Sequence, residues 1–340
     1  MRKTCNIDAV TASTTPDGAA LLPRLAEGTV LPAPDALPDV LPTDRLNDRG
    51  VATRQLRDEL RRIPNIGNVW TVAMALGQVV ATAAIAVWAD HPLVWIIVFV
   101  AMGAAHARMA ILMHEAAHRL LFSNRRLNDF VGRWVGGYPG FVPFELYRRT
   151  HFAHHRDEFG PDEPDIAFYS GYPSGSATFR RRLIRDITGQ TGWKNLRALA
   201  QALRSPGARP MATRILVAQV LVASGFALAG HPWLYLILWL GPWLTVWKVM
   251  NRLRSIAEHG GMQRSDDRRE TTHHVRHQAW WARATIVPYK TGWHLAHHVD
   301  MGVPFGNLPR LHAELESAGW VNEANTHRTY LDLWRDLVGR

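Results

Sequence analysis

Four long apolar segments are the feature that most limits how this chain can fold. A helix of about 20 apolar residues is long enough to cross the hydrocarbon core of a bilayer. The segment 68–88 contains no charged residue, and the segment 92–113 is apolar until its end. The segments 215–230 and 232–250 form a second, somewhat shorter pair. The pattern predicts an all-α integral membrane protein with four transmembrane helices in two hairpins.

The charged residues around these segments predict their orientation. The connections inside each pair are very short and contain neither Lys nor Arg, whereas Arg is abundant outside both pairs. Because Lys and Arg accumulate in cytoplasmic loops, both hairpins are expected to enter and leave from the cytoplasm. Lys248, near the end of the last segment, is placed to snorkel toward that interface. Both termini are therefore predicted to be cytoplasmic, in the inner membrane of a bacterium; a soluble protein with buried hairpins is the weaker alternative.

The rest of the chain is predicted to divide into a tail and a helical cap. Residues 1–50 contain six prolines and little hydrophobic periodicity, so we expect a disordered N-terminal extension. This extension lacks the early apolar core of a cleaved signal peptide. Residues 51–340 are expected to form one membrane domain, whose cytosolic cap comprises 114–213 and 251–340. The apolar segment 134–144 is broken by glycine and proline, so it is expected to be re-entrant or interfacial.

The composition excludes several functional classes. A net charge of +10 is compatible with nucleic-acid binding, but the arginines are scattered through the polar segments as in a membrane protein, and no nucleic-acid partner is expected. Cys5 is the single cysteine, which excludes internal disulfides and also iron–sulfur clusters or thiolate zinc sites built from this chain alone. No convincing dinucleotide-binding glycine motif is present. Redox chemistry would therefore need electrons from another protein.

Three short clusters stand out among the seventeen histidines. On a helix, residues three and four positions apart project from the same face, so each cluster can direct two or three imidazoles to one point. Together with one isolated histidine, the candidate metal ligands are His114, His118, His151, His154, His155, His259, His294, His297 and His298. Nine imidazoles exceed the about four ligands of one zinc ion, so two metal ions are predicted. Imidazole binds iron, zinc, copper and nickel alike, which leaves the metal open.

Other polar residues around the clusters have expected roles as well. Metal-bound imidazoles usually donate their second N–H to a carboxylate or a carbonyl. The carboxylates inside or beside the clusters are Glu115, Asp157, Glu158, Glu258 and Asp300. The histidines expected to lie on a face exposed to solvent or lipid headgroups are His91, His231, His273, His274, His277, His312 and His327. His106, one or two turns before His114, is left unassigned.

The three clusters read HEAAH, HFAHH and HLAHH, and in this order they resemble the histidine boxes of the membrane fatty-acid desaturase superfamily. His259 is similar to the additional ligand of that family, the acidic segment 162–165 to a feature after the second box, and 303–312 to the continuation after the third box. The resemblance extends from about residue 65 to the C-terminus. It implies four transmembrane helices capped by a cytosolic helical domain, and two iron ions (Fe2+/Fe3+) held by the nine histidines. The expected partners outside this ligand set are Glu115, Asp157, Asp165 and Glu258.

The resemblance also implies an oxidoreductase activity. The expected enzyme is an O2-dependent desaturase that introduces a double bond into a fatty-acyl or other lipid-like chain; the alternative is a hydroxylase or ketolase of a lipid, a carotenoid or a smaller molecule. A ferredoxin- or cytochrome b5-type donor would supply electrons, with Arg180, Arg181 and Arg182 as its candidate docking site. Lys290 and Trp293 stand just before the third box, where many relatives have Asn and Tyr, and this leaves the substrate class open.

Two other functions fit parts of the pattern. HEAAH also matches the HExxH motif of zinc metalloproteases, some of them membrane-embedded, in which two histidines bind zinc and the glutamate is the general base. That function gives no role to the second and third boxes. A metal transporter would hold its ligands inside the spans, near the middle of the membrane, whereas these clusters lie outside the predicted spans.

Overall fold

Helices dominate the regular structure in the computed structural model, which describes residues 30–89 and 91–339. The helices of the first part of the chain are α1 (Arg54–Leu60), α2 (Asn65–Ala89), α3 (Pro92–Ala117), α4 (Arg125–Val131), α5 (Phe144–Arg156), α6 (Ile166–Tyr169), α7 (Ser176–Ile187), α8 (Gln190–Arg204) and α9 (Arg209–Leu228). A π-helical turn follows α4, and the short 3-10 turns of this part are Pro34–Ala36 and Tyr138–Gly140.

The second part of the chain forms shorter helices and one small sheet. Its helices are α10 (Gly241–Leu244), α11 (Val246–His259), α12 (Arg268–Thr271), α13 (Trp280–Thr285), α14 (His294–Val299), α15 (Leu308–Ser317) and α16 (Tyr330–Val338). Strands β1 (His274–His277) and β2 (Thr326–Thr329) pair in parallel, with His274 opposite Thr326. The 3-10 turns of this part are Pro288–Lys290, Phe305–Asn307 and Glu323–Asn325. The predicted all-α fold is therefore right for the described residues except for this two-stranded sheet.

Three helical stretches are long and apolar enough to cross a membrane: Arg54–Ala89, Pro92–Ala117 and Arg209–Leu228. They contain most of the first three predicted spans. Many large apolar side chains on these helices are exposed, including Trp70, Val80 and Leu221. A large continuous apolar surface is characteristic of a site that contacts lipid or another protein. The composition of these helices and their exposed apolar side chains support the association of this chain with a membrane.

The fourth predicted span, 232–250, is not one continuous helix. A π-helical turn at Tyr235–Leu240 leads into α10, and α11 starts after a sharp break at Thr245, where φ is −121° and ψ is −87°. Pro242 stands in the first turn of α10, where its missing backbone N–H is tolerated. Three of the four predicted spans are therefore long apolar helices among the described residues, and the fourth is not.

Close approaches at two glycines hold α3 against its neighbours. A Cβ added at Gly136, in the π-helical turn Gly132–Gly137, would lie 2.8 Å from the backbone nitrogen of Met113 on α3. A Cβ at Gly103 of α3 would lie 2.8 Å from Cγ1 of Val246, at the start of α11. Only glycine permits such approaches. The C-terminal half of α3 is thereby buried between neighbouring elements.

The segment 134–144 is partly buried and forms no spanning helix, while its re-entrant or interfacial position stays a prediction. Tyr138 is fully buried. The side-chain amide of Gln219, on α9, donates to the carbonyl oxygens of Tyr138 and Pro139 at 2.9 and 3.1 Å. Buried carbonyl groups of irregular backbone need such partners, because an unpaired polar group inside a protein or a membrane is costly.

The described part of the predicted N-terminal extension is packed against α15. Leu41 and Leu46 are buried in the same apolar core as Leu315 of α15. Arg45 forms a bidentate ion pair with Glu314, with both N–O distances at 2.7 Å. The prediction of disorder up to residue 50 is therefore wrong for residues 30–50. Burial of a leucine side chain stabilises a folded structure by about 1.5–3 kcal/mol, which favours this packing. Residues 1–29 lie outside the described part of the chain.

Candidate metal centre

Four elements bring the nine predicted histidines together. His114 lies in the last turn of α3 and His118 caps that helix; the second box occupies the C-terminal end of α5. His259 is the last residue of α11, and the third box forms α14. All nine side chains are buried. The ends of these helices thus place nine polar imidazole rings in the protein interior, where apolar side chains are the rule.

Five of these rings form what we call the first histidine group. Its members are His114, His118, His151, His155 and His297, and each offers a ring nitrogen within 4.8 Å of those of the others. The Nε2 atom of His151 lies 2.8 Å from Nε2 of His118 and 3.1 Å from Nε2 of His155. The Nε2 atom of His297 lies 3.2 Å from Nε2 of His155.

The other four rings form the second histidine group, which consists of His154, His259, His294 and His298. Ring nitrogens of His154, His259 and His298 lie within 4.8 Å of one another. The Nε2 atom of His294 lies 3.1 Å from Nε2 of His259 and 3.0 Å from Nε2 of His298. The nine histidines therefore divide into two adjacent sets.

Each of the two longer boxes contributes to both groups. In the second box, His151 and His155 belong to the first group and His154 belongs to the second. In the third box, His294 and His298 belong to the second group and His297 belongs to the first. Neighbouring helical residues point about 100° apart, so the two adjacent histidines of a box reach different points.

Carboxylates and a carbonyl hold the opposite ring nitrogens of the second group. Nδ1 of His154 lies 2.7 Å from Oε1 of Glu163, and Nδ1 of His298 lies 2.5 Å from Oε1 of Glu158. The remaining contacts are Nδ1 of His259 to the Thr271 carbonyl oxygen at 3.0 Å and Nδ1 of His294 to Glu258 Oε1 at 3.4 Å. These acceptors favour a proton on Nδ1 and direct the Nε2 lone pairs toward one another.

The arrangement of nitrogen atoms fits bound metal ions. Because Nδ1 of His259 and of His298 faces an acceptor, their Nε2 atoms carry lone pairs that converge with His294 at about 3 Å, and a cation between them would relieve their repulsion. In the first group, neither ring nitrogen of His114 has a hydrogen-bond partner among the described residues. A buried imidazole whose nitrogens have no partner costs folding free energy unless another group, such as a metal ion, binds one of those nitrogens. Nitrogen donors of this kind suit iron, zinc, copper or nickel.

A comparison with family models decides the family. The model described as fatty acid desaturase matches residues 90–320. This chain belongs to the fatty acid desaturase family. The match includes all nine histidines and confirms the resemblance that was predicted from the three boxes.

Two characterised relatives are similar to this desaturase-family chain. It is 24% identical over 235 residues to dihydrorhizobitoxine desaturase of Bradyrhizobium elkanii, a match that covers 64% of this chain and 65% of the relative. It is 28% identical over 111 residues to zeaxanthin 4-ketolase of Chlamydomonas reinhardtii, a match that covers 31% of this chain and 25% of the relative. The chain thus spans less than two thirds of the length of either relative.

Burial keeps most of the imidazoles in this desaturase-family centre neutral. Desolvation lowers the pKa of His151, His155 and His297 well below the ordinary 6.5, and their mutual proximity adds to the effect. His154 is the exception: burial alone would lower its pKa, but the hydrogen bond and charge of Glu163 raise it. Neutral imidazole is the form that binds a metal, so burial prepares the site for one.

The structure separates the carboxylates that the sequence grouped together. Glu258 contacts Arg254 at 2.7 Å as well as His294, and Asp165 lies beside His154. Glu115 is buried but accepts from the backbone N–H of Phe305 at 3.0 Å.

Asp157 and Asp300 form ion pairs away from the imidazoles. Asp157 pairs with the exposed Arg264 at 2.7 Å, and Asp300 pairs with Arg61 at 2.7 Å. Among the side-chain contacts of the described residues, none joins Glu115, Asp157 or Asp300 to a histidine of the centre. These contacts give no support to their predicted role as outer partners. Glu163 was missed, although its position in the acidic segment 162–165 after the second box was a usable signal.

Four other histidines also differ from expectation or acquire a role. His273, His274 and His312 are buried and not on a solvated face: Nε2 of His273 lies 2.7 Å from the Gly260 carbonyl oxygen, and the ring of His274 lies 4.1 Å from that of His312. Pairing of β1 with β2 buries this segment. His277 is exposed, as predicted. Nε2 of His106 lies 3.0 Å from the Trp239 carbonyl oxygen, so it links α3 to the π-helical turn Tyr235–Leu240.

A cavity of about 360 Å³ reaches the second histidine group. His154, His259 and His294 line it, together with His151 of the first group. Its apolar lining consists largely of Met113, Phe141, Val142, Trp243 and Trp247. Lys248 also lines this cavity, with its ammonium 3.7 Å from the centre of the Trp243 ring, instead of snorkelling outward as predicted.

Proposed function

We propose that this chain is an O2-dependent di-iron desaturase that introduces a double bond into a lipid-like chain with electrons from an external carrier. The observation that carries the proposal is the pair of buried histidine groups, whose ring nitrogens approach one another at 2.8–3.2 Å beside a cavity. Membership of the fatty acid desaturase family gives independent support.

In this proposal the two histidine groups each hold one iron ion. Bound iron would supply O2 activation for the removal of two hydrogen atoms from adjacent carbons. In the overall reaction, O2 takes up those two hydrogens together with two electrons from the donor and two protons from solvent, and two water molecules leave. Desaturation is proposed over hydroxylation or ketone formation because the longer of the two matches is with a desaturase.

The protein's own residues contribute ligand orientation and substrate alignment. Glu163, Glu158 and the Thr271 carbonyl fix the tautomer and the ring angle of their histidines, which keeps each Nε2 lone pair directed inward. The apolar wall of the cavity, formed in part by Phe141 and Trp243, excludes water from a substrate carbon beside the histidines. A dry, shaped cavity of this kind protects reactive chemistry from side reactions.

The membrane arrangement belongs to the same proposal. Residues 51–340 would form one membrane domain with four spans in two hairpins, although the fourth span is an interrupted helix. Both termini and the histidine groups would then lie on the cytoplasmic side of a bacterial inner membrane, covered by the cytosolic cap. A ferredoxin- or cytochrome b5-type protein would deliver electrons to that side.

The protease alternative is less consistent with the surroundings of Glu115. A general base in an HExxH site must reach the metal-bound water with its carboxylate. Here Oε1 of Glu115 is occupied by the backbone N–H of Phe305, and His118 contacts a histidine of the second box. A zinc site made only of His114 and His118 would also leave the other seven clustered imidazoles without a bound metal ion.

The metal content of protein purified in mild detergent tests this proposal. Elemental mass spectrometry should find about two iron equivalents per chain, since each group holds enough nitrogen donors for one ion. His154→Ala and His297→Ala should each lower that content, and His277→Ala should leave it unchanged because His277 is exposed and outside both groups. One zinc that survives both substitutions but is lost with His114→Ala would overturn the proposal in favour of the protease.

A further inference from the structure

The cavity beside the second histidine group has a polar end that a long acyl chain does not need. Helix α11 presents Lys248, Arg252 and Ser255 along the same cavity wall and ends at His259. Lys248 and His259 are eleven residues apart, which corresponds to about 16 Å along a helix. Arg252 is about 10 Å from His259 by the same measure. The cavity therefore joins a charged end to the histidine centre over a short distance.

The charged groups at that end are only partly paired with one another. Asp186 accepts from Arg252 and from the Thr191 hydroxyl. The Asn195 amide, in the orientation that satisfies both of its groups, donates to the Thr191 carbonyl and accepts from Nζ of Lys248 at 3.3 Å. These contacts fix the polar end before any ligand arrives.

Lys248 is the one cation of this set without a carboxylate within ion-pair distance, although the charge of Asp186 acts on it from farther away. No carboxylate oxygen of the described residues lies within 4.0 Å of its Nζ, whereas Arg252 and Arg254 are both paired. An ammonium has three N–H donors, and Asn195 takes one of them. Trp243 lies against the ammonium at 3.7 Å. The geometry leaves donors of Lys248 free to bind an anionic acceptor inside the cavity.

We propose that this cavity binds a compact substrate with a free carboxylate, which Lys248 holds while the tail extends along α11 toward His154, His259 and His294. The inference deepens the proposed function, because it rests on the cavity being the substrate site. A long acyl chain would leave Lys248, Asn195 and Arg252 desolvated without new partners, and such burial is costly. A carboxylate, by contrast, forms a charge-assisted hydrogen bond with the ammonium.

Direct binding of octanoate to the purified protein tests the inference without turnover. Isothermal titration calorimetry should give a Kd for octanoate that is at least about tenfold lower than that for octanol, which has the same chain without the charge. Lys248→Met should raise the octanoate Kd by at least about tenfold, since it removes the charged donor. Lys248→Arg should retain most of the binding, and Lys194→Met, a change at an exposed lysine of α8, should leave the Kd unchanged.

Three results would overturn the inference: no binding of octanoate to the wild type, equal Kd values for octanoate and octanol, or an unchanged Kd in Lys248→Met. Circular dichroism of each variant excludes misfolding as the cause of lost binding, and Lys248→Arg provides a second check. Iron content, measured on the same samples, tests the di-iron function separately. Two iron equivalents with Lys248-independent binding would leave the proposed function standing while the inference fails. If octanoate binding depends on Lys248 but the chain takes up no iron, the inference stands and the proposed di-iron function fails.

Discussion

The Nδ1 atom of His298 lies 2.5 Å from Oε1 of Glu158, so a carboxylate that follows the second box fixes the last histidine of the third box. The same oxygen lies 2.5 Å from Nη1 of Arg268, and both Glu158 and His298 are buried. This contact joins parts of the chain that are 140 residues apart. It holds the proton of His298 on Nδ1, which leaves Nε2 to face His294.

Removal of the Glu158 carboxylate should weaken metal binding. Partners of this kind typically contribute about 10- to 100-fold to metal affinity. Glu158→Ala should therefore release iron to a competing chelator at a concentration lower by about that factor, as followed by elemental mass spectrometry. Glu323→Ala is the control, because Glu323 pairs with Arg276 on the surface. Unchanged iron retention in Glu158→Ala would contradict this role.

Glu115→Gln should retain the metal and part of the activity. The amide oxygen of glutamine can still accept from the Phe305 N–H, so the packing of α3 against this segment should survive. His118→Ala, which removes a ring of the first histidine group, should lower the iron content in the same assay. Complete loss of activity in Glu115→Gln, with the metal retained, would instead favour a general-base role.

Gly136→Ala should destabilise the fold. The new Cβ would meet the α3 backbone at Met113 at 2.8 Å, and a helix backbone cannot move aside as a side-chain end can. Overpacking of this kind costs about 1–3 kcal/mol in the free energy of unfolding. Gly140→Ala is the matched control, because a Cβ at Gly140 meets no atom within 4 Å. Thermal melting in detergent should show a lower Tm for Gly136→Ala only.

His312→Phe should make the protein less sensitive to acid. Burial lowers the pKa of His312 to about 4, below the ordinary 6.5. A group with a lowered folded pKa contributes stability above its unfolded pKa, and that stability is lost as the pH falls toward the folded value. The Tm of the wild type should therefore fall more steeply than that of the variant between about pH 7 and pH 4. His277→Phe, at an exposed histidine, should follow the wild-type curve.

Charge reversal at Arg180 and Arg181 tests where the electron donor docks. Both side chains are exposed on α7, whereas Arg182 lies 4.7 Å from the centre of the Tyr172 ring and is less available. The double change to Glu should raise the KM for an acidic donor and reduce the salt dependence of turnover, because both depend on electrostatic steering. The same double change at Arg125 and Arg126, exposed on α4, is the control. Unchanged kinetics at low salt would exclude this docking site.

The sequence by itself determined the chemistry of the centre and its family. The spacing of His114, His118, His259 and the two longer boxes predicted clustered imidazoles, and their number predicted two metal ions. The apolar segments likewise predicted the helices that can cross a membrane. These features are readable because they depend on local spacing along a helix and on total length, which need no tertiary contacts.

Only the tertiary structure decided which side chains complete the centre and what lines the cavity. It paired His154 with Glu163, placed Glu115 against Phe305 instead of a histidine, and turned Lys248 inward over Trp243 after the helix break at Thr245. It also divided each longer box between two groups. These features depend on how helices distant in the sequence pack against one another, and local spacing along the chain does not specify that packing.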